Sequence, residues 1–118
     1  MVLSIIKVLH NNRCTKSRNA LKLLDEAKLD YEIVSYLDGM LSEKELRDII
    51  DKLGIKPETI VRKSEAIFKE NFKGKTLSDE EWIKSMLEYP KLIERPIIYD
   101  DTRAVIGRPT ENINVFIK

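Results

Sequence analysis

The chain carries one cysteine, Cys14, and one histidine, His10, four residues before it. Cys14 follows a short apolar run, Ser4-Ile5-Ile6-Lys7-Val8-Leu9, and precedes a stretch whose apolar residues recur at helical spacing. It therefore falls where a strand hands over to a helix. The first backbone N–H groups of a helix have no intrahelical partner and carry a partial positive charge. A thiol at that point is a candidate nucleophile, because its reactive form is the thiolate and positive surroundings favour it. The helix-start residues Thr15, Lys16 and Ser17 are correspondingly placed to bind an anionic substrate. Arg13, Lys16 and Arg18 add charge of the right sign. An inert, buried cysteine would be expected among apolar neighbours, and Arg, Thr and Lys do not fit that description. His10 is placed to tune or orient the thiol. Its bland alternative is a solvated loop residue.

Arg62, Arg95 and Arg108 are the other candidates. Arg62 lies between helical segments, Arg95 precedes Pro96 ahead of a strand-like run, and Arg108 precedes Pro109 after another. Taken singly, each reads as a surface ion pair. Arg95–Pro96 is also a candidate cis peptide, since cis bonds are essentially confined to X-Pro. An arginine at the start of the third strand would stand beside Cys14. One Cys and one His cannot supply the roughly three or four ligands of a zinc site.

The elements that must position these residues follow from periodicity. Residues 4–9 read as a buried strand and 31–36 as a second, with a helix from Cys14 between them whose stripe runs through Ala20, Leu21, Leu23, Leu24, Ala27 and Lys28. A β-α-β opening implies a parallel strand pair. Ser42-Glu-Lys-Glu45 and Ser78-Asp-Glu-Glu81 are capping-box sequences that start helices. Gly54 ends the first of these and Pro90 the second, Pro57 suits a first helical position, and 64–69 forms a short turn. Residues 96–99 and 103–106 flank Asp100-Asp101-Thr102 and read as an antiparallel hairpin, with a last helix after Arg108-Pro109. The expected fold is α/β and thioredoxin-like. A four-stranded mixed sheet is flanked by helices, with a helical insertion between the second and third strands, over about 40–90 of a single 1–118 domain.

Composition narrows the function classes. The 118 residues include 21 Lys and Arg against 20 Asp and Glu, a net charge of +1, which argues against a nucleic-acid binder. No apolar run approaches the roughly 18–20 residues that span a bilayer, so no membrane association is expected. The start of the chain lacks the features of a signal peptide. A lone cysteine precludes an internal disulfide and suits a reducing compartment, hence a cytoplasmic protein. No phosphate-cradling glycine loop or dinucleotide motif is present, so no bound cofactor is expected, and a monomer is the default at this size.

His10 to Leu21 (HNNRCTKSRNAL), Ile93-Glu-Arg-Pro-Ile97, Ile106-Gly-Arg-Pro109 and the region of Val61-Arg62-Lys63 resemble, in order and over nearly the whole chain, the signatures of the glutaredoxin-coupled arsenate reductase family. The resemblance implies a cis Arg95–Pro96 bond and a nucleophilic Cys14 supported by His10. It implies that Arg62, Arg95 and Arg108 hold the oxyanion. It also implies that glutathione, as co-substrate, joins the arsenic and that glutaredoxin reduces the adduct to release arsenite. The chemistry of the residues agrees. A tetrahedral dianion is met by guanidinium forks and helix N–H groups, and a chain with one thiol needs its second thiol from outside. Two positions depart from the family pattern. Thr15-Lys16 stands where many members carry Gly-Thr, and Asn12 where many carry Pro.

Two other readings compete. A glutathione-dependent thiol-disulfide reductase would use Cys14 without needing all three arginines. A transcriptional regulator of the Spx type, binding RNA polymerase, shares the fold, but its switch is a Cys-x-x-Cys pair and position 17 here is Ser.

Overall fold

The computed structural model describes residues 5–11 and 13–117. Ser4, counted above in the first strand, and Asn12 lie outside the described residues, as do residues 1–3 and 118. The contacts group into two compact units: residues 1–40 with 95–118, and residues 41–94.

The first unit holds the sheet. Strands β1 (Ile6–Leu9), β2 (Tyr31–Val34), β3 (Ile97–Tyr99) and β4 (Ala104–Ile106) lie in the order β2-β1-β3-β4. β1 pairs parallel to β2, with Ile6 opposite Tyr31 and Leu9 opposite Val34. β1–β3 and β3–β4 are antiparallel, with Val8 opposite Ile98 and Ile98 opposite Val105. Helix α1 (Thr15–Glu26) is the crossover between the parallel pair. Ile6 and Val8, two apart and so on one face of β1, pack with Ala20 and Leu24 of α1, Ile98 of β3, and Ile113 and Phe116. Each fully buried aliphatic side chain of this cluster contributes roughly 1.5–3 kcal/mol. The mixed sheet with flanking helices is the expected one.

Boundaries differ from the sequence reading for local reasons. Lys28 is not on the stripe of α1; it takes φ 60° just beyond the helix end. The second strand stops at Val34, because Ser35 turns the chain into a 3-10 segment, Tyr36–Asp38, closed by Gly39 at φ 83°. Pro96 stays outside β3 because it has no N–H for the ladder, although its carbonyl accepts the Gly107 N–H at 2.8 Å. The last helix is 3-10, Thr110–Phe116, not α. Its Thr, Ile, Val and Asn residues are poor α-formers. Asp100, 7% exposed, organises the β3–β4 turn. Its Oδ1 accepts from the backbone N–H groups of Thr102 (2.9 Å) and Arg103 (2.8 Å). Arg103 donates to the Val115 carbonyl at 2.6 Å, with its guanidinium 4.6 Å from the Phe116 ring centre.

The second unit is helical. α2 (Glu43–Leu53) starts at Ser42, whose side chain accepts from the Glu45 N–H, and ends at Gly54, φ 68°. Pro57 opens a 3-10 turn, Pro57–Ile60. α3 is Ala66–Asn71, two residues later than the expected turn at 64–69. α4 (Asp79–Glu88) begins with a complete capping box, Ser78 and Glu81 each satisfying the other's backbone N–H. Arg47 of α2 pairs with Glu43 and with Glu80 of α4. Phe68, Phe72, Trp82 and Tyr89 form one aromatic cluster. Among the described residues no helix is long and apolar enough to cross a membrane.

Candidate active site

Cys14 is the N-cap of α1, in extended conformation with φ −95° and ψ 122°. Its carbonyl accepts the first helical bond, from the Arg18 N–H at 3.0 Å, and its own N–H donates to the Asn11 carbonyl at 2.9 Å. Cys14 makes no side-chain cap hydrogen bond. Its sulfur is thus left for other chemistry, and the first-turn N–H groups of Thr15, Lys16 and Ser17 have no intrahelical acceptor by helix geometry. Asn11 shapes the approach: its Oδ1 accepts from the Arg13 N–H (3.0 Å), and its N–H donates to Ser17 Oγ (3.3 Å). Ser17 is fully buried, so its hydroxyl has a scaffolding contact, while Thr15 and Lys16 are exposed. Thr15 Oγ1 accepts from the Arg18 guanidinium at 3.2 Å.

Cys14 is buried, 8% exposed, but its sulfur faces a cation. Nη2 of Arg108 donates to Cys14 Sγ at 3.4 Å, across 94 residues of sequence. Nε of the same guanidinium donates to the Arg95 main-chain carbonyl at 2.7 Å. The peptides Arg95–Pro96 and Arg108–Pro109 are both cis; only the first was expected. Sequence reasoning put the Arg95 guanidinium beside the sulfur. The structure puts Arg108 on the sulfur, and the Arg95 carbonyl anchors that guanidinium.

His10 closes β1. It is 8% exposed, so it is not a solvated loop residue, and its N–H donates to the Val34 carbonyl at 3.4 Å. Arg62 belongs to the second unit, beside the bridge between Val61 and Ile93. Its guanidinium pairs with Glu65 and lies 3.6 Å from Glu94. Arg62 is therefore ion-paired, with only 17% of its side chain exposed.

Sequence reasoning missed Asn11 and Asn112. Asn11 had a signal, since asparagine readily bonds its own backbone two residues on. Asn112 had none. Its amide donates to the carbonyls of Ile106 (2.9 Å) and Arg108 (3.3 Å). Among the described residues no group of His, Cys, Asp and Glu is arranged to hold a metal ion. A thiol at a helix start with a guanidinium on its sulfur is equipped to attack an anionic centre. The cation offsets the charge of both nucleophile and target.

Comparison with known proteins points the same way. Residues 9–116 match the ArsC family. An arsenate reductase of Neisseria meningitidis is 38% identical over 114 residues, covering 95% of this chain and 97% of that protein. A Streptomyces viridochromogenes protein described as uncharacterised, in the glnII region, is 42% identical over 108 residues, covering 87% and 91%. Among solved structures, the arsenate reductase from Vibrio cholerae superposes with a TM-score of 0.88 at 34% identity, covering 97% of this chain and 98% of that one.

Proposed function

We propose that this chain, which belongs to the ArsC family of arsenate reductase-like proteins, reduces arsenate to arsenite with Cys14 as nucleophile and external thiols as reductant. The observation that carries this reading is the Arg108 guanidinium, 3.4 Å from the only thiol in the chain.

The Cys14 thiolate attacks arsenic, forming the S–As bond, and an arsenate oxygen leaves as water after protonation. Glutathione then adds its sulfur to arsenic and displaces a second water. Glutaredoxin attacks the glutathione sulfur, and the electron pair of that S–As bond stays on arsenic, which becomes As(III). Water releases arsenite and restores Cys14. Two thiols are oxidised to one mixed disulfide, matching the two electrons taken up by arsenic. Arg108, and Arg95 and Arg62 by the family resemblance, neutralise the oxyanion, while His10 supports the thiolate. The helix-start residues Thr15, Lys16 and Ser17 offer donors to the oxygens.

A coupled assay tests this: NADPH oxidation with arsenate, glutathione, glutaredoxin and glutathione reductase. The expected result is turnover by the wild type and none by Cys14→Ser. A flat wild-type trace in the presence of active partners would sink the proposal.

One observation favours a second reading, a glutathione-dependent thiol-disulfide reductase. Arg62 is already paired with two carboxylates, and disulfide exchange at Cys14 does not need its charge. Arg95→Ala separates the two. Arsenate turnover should fall by orders of magnitude, whereas reduction of a small mixed disulfide should change little.

A further inference from the structure

We propose that Gly107 and Asn112 are positioning residues that hold Arg108 on Cys14 and thereby give the sulfur its preference for anionic partners. The inference rests on Cys14 being the reacting atom, as in the reading above, but not on arsenate being the substrate.

Gly107 is the point where the end of β4 meets the segment that carries Arg95. It is buried, and its N–H donates to the Pro96 carbonyl at 2.8 Å. A Cβ built on Gly107 would stand 2.8 Å from Pro96 Cγ and 3.1 Å from Ile98 Cδ1. The first distance is shorter than real Cβ contacts allow. The proline ring yields only by repuckering, and the overlap that remains falls on the two backbone segments. Those segments carry the two ends of the Arg108 Nε to Arg95 carbonyl bond. A side chain at 107 therefore separates Arg108 from its anchor, and with it from the sulfur that Nη2 reaches at 3.4 Å.

Asn112 works from the other side. Its amide donates to the carbonyls of Ile106 and Arg108, which bracket Gly107. Its backbone N–H also donates to the Pro109 carbonyl at 3.0 Å. One side chain thus closes the turn that leads from β4 through Arg108 into the terminal 3-10 segment. Asn112 is exposed, so its removal does not open the core.

The test compares alkylation of Cys14 in the full chain by iodoacetate, an anion, and by iodoacetamide, its neutral counterpart. The two reagents are nearly the same size, so the ratio of their rate constants cancels steric access and the thiolate fraction and reports the electrostatic environment of the reagent's carboxylate. The wild-type ratio should exceed that of a cysteine peptide by about fivefold, as one cation about 4 Å from the reagent's carboxylate gives even in water. Arg108→Ala should remove this excess. Gly107→Ala should bring the ratio within about twofold of the peptide, and Asn112→Leu should about halve it, each with a retained thermal transition.

A wild-type ratio in folded Gly107→Ala or in Asn112→Leu overturns the assignment of that residue. A lowered melting temperature with an unchanged ratio marks a merely structural role and does the same. If Gly107→Ala does not fold, Asn112→Leu carries the test. A wild-type ratio equal to the peptide's overturns the inference as a whole. Absence of arsenate turnover with an elevated ratio counts against the substrate alone.

Discussion

Arg108 uses two ends of its guanidinium at once, Nε on a carbonyl and Nη2 on a sulfur. Lysine cannot reproduce that fork, because its charge is a single point on a flexible stem. Arg108→Lys should therefore keep the charge and still lose about tenfold or more in kcat/KM for arsenate, about 1.4 kcal/mol of transition-state stabilisation. Steady-state kinetics of the two proteins decides it, and an unchanged value would mean that charge alone matters. Cys14 and the arginines were legible in the sequence as residue types at a strand–helix junction and beside prolines. That Arg108 donates to the sulfur was not, because the contact spans 94 residues and is fixed by the sheet. Arg62 was half legible: Glu65, three residues on, is a local neighbour, while Glu94 meets it only through folding.

Helix ends show what local chemistry announces and what it hides. Ser42, Gly54 and Ser78 are caps that can be read directly from the chain, and each caps a helix. The end of α1 had no such sign. Lys28 N–H donates to the Asp25 carbonyl (3.0 Å) and Leu29 N–H to the Leu24 carbonyl (3.1 Å), the paired bonds of a Schellman motif. Leu29 packs against the core that includes Leu24. The residue at the left-handed position is lysine, φ 60°, where glycine is the usual occupant. The apolar spacing therefore carries the helical stripe on through Lys28, since nothing in the sequence marks the stop. Lys28→Gly should relieve the strained backbone and raise stability by about 0.5–1 kcal/mol. Denaturant titration of both proteins measures it, and a destabilised variant would contradict the account.

Across the whole molecule, strand types and the hairpin were legible because each strand is a short apolar run bounded by turn residues. The 3-10 character of the last segment was less so, since β-branched and Asn residues on an apolar stripe look helical in either form. That segment is joined to the hairpin through Arg103 and Asp100, which gives the fold an acid-sensitive point. Burial opposes ionisation of Asp100, but the Thr102 and Arg103 backbone N–H groups and the Arg103 guanidinium outweigh it and hold the carboxyl below its ordinary 3.8. A carboxylate with a lowered folded-state pKa stabilises the fold above its unfolded value, and that contribution is lost as pH falls through the folded value. Asp100→Asn should cost about 1–2 kcal/mol at pH 7. The gap to wild type should narrow as the pH drops below about 4. Melting curves over that range test it, and a gap constant with pH would refute the assignment.

A polypeptide with a solitary sulfhydryl has a practical virtue. Any arsenic or disulfide increment trapped on the intact chain belongs to Cys14 by arithmetic, without peptide mapping. Weighing quenched reaction mixtures in a mass spectrometer would then identify the incoming thiol directly, and the order in which adducts rise and decay would give the sequence of chemical events.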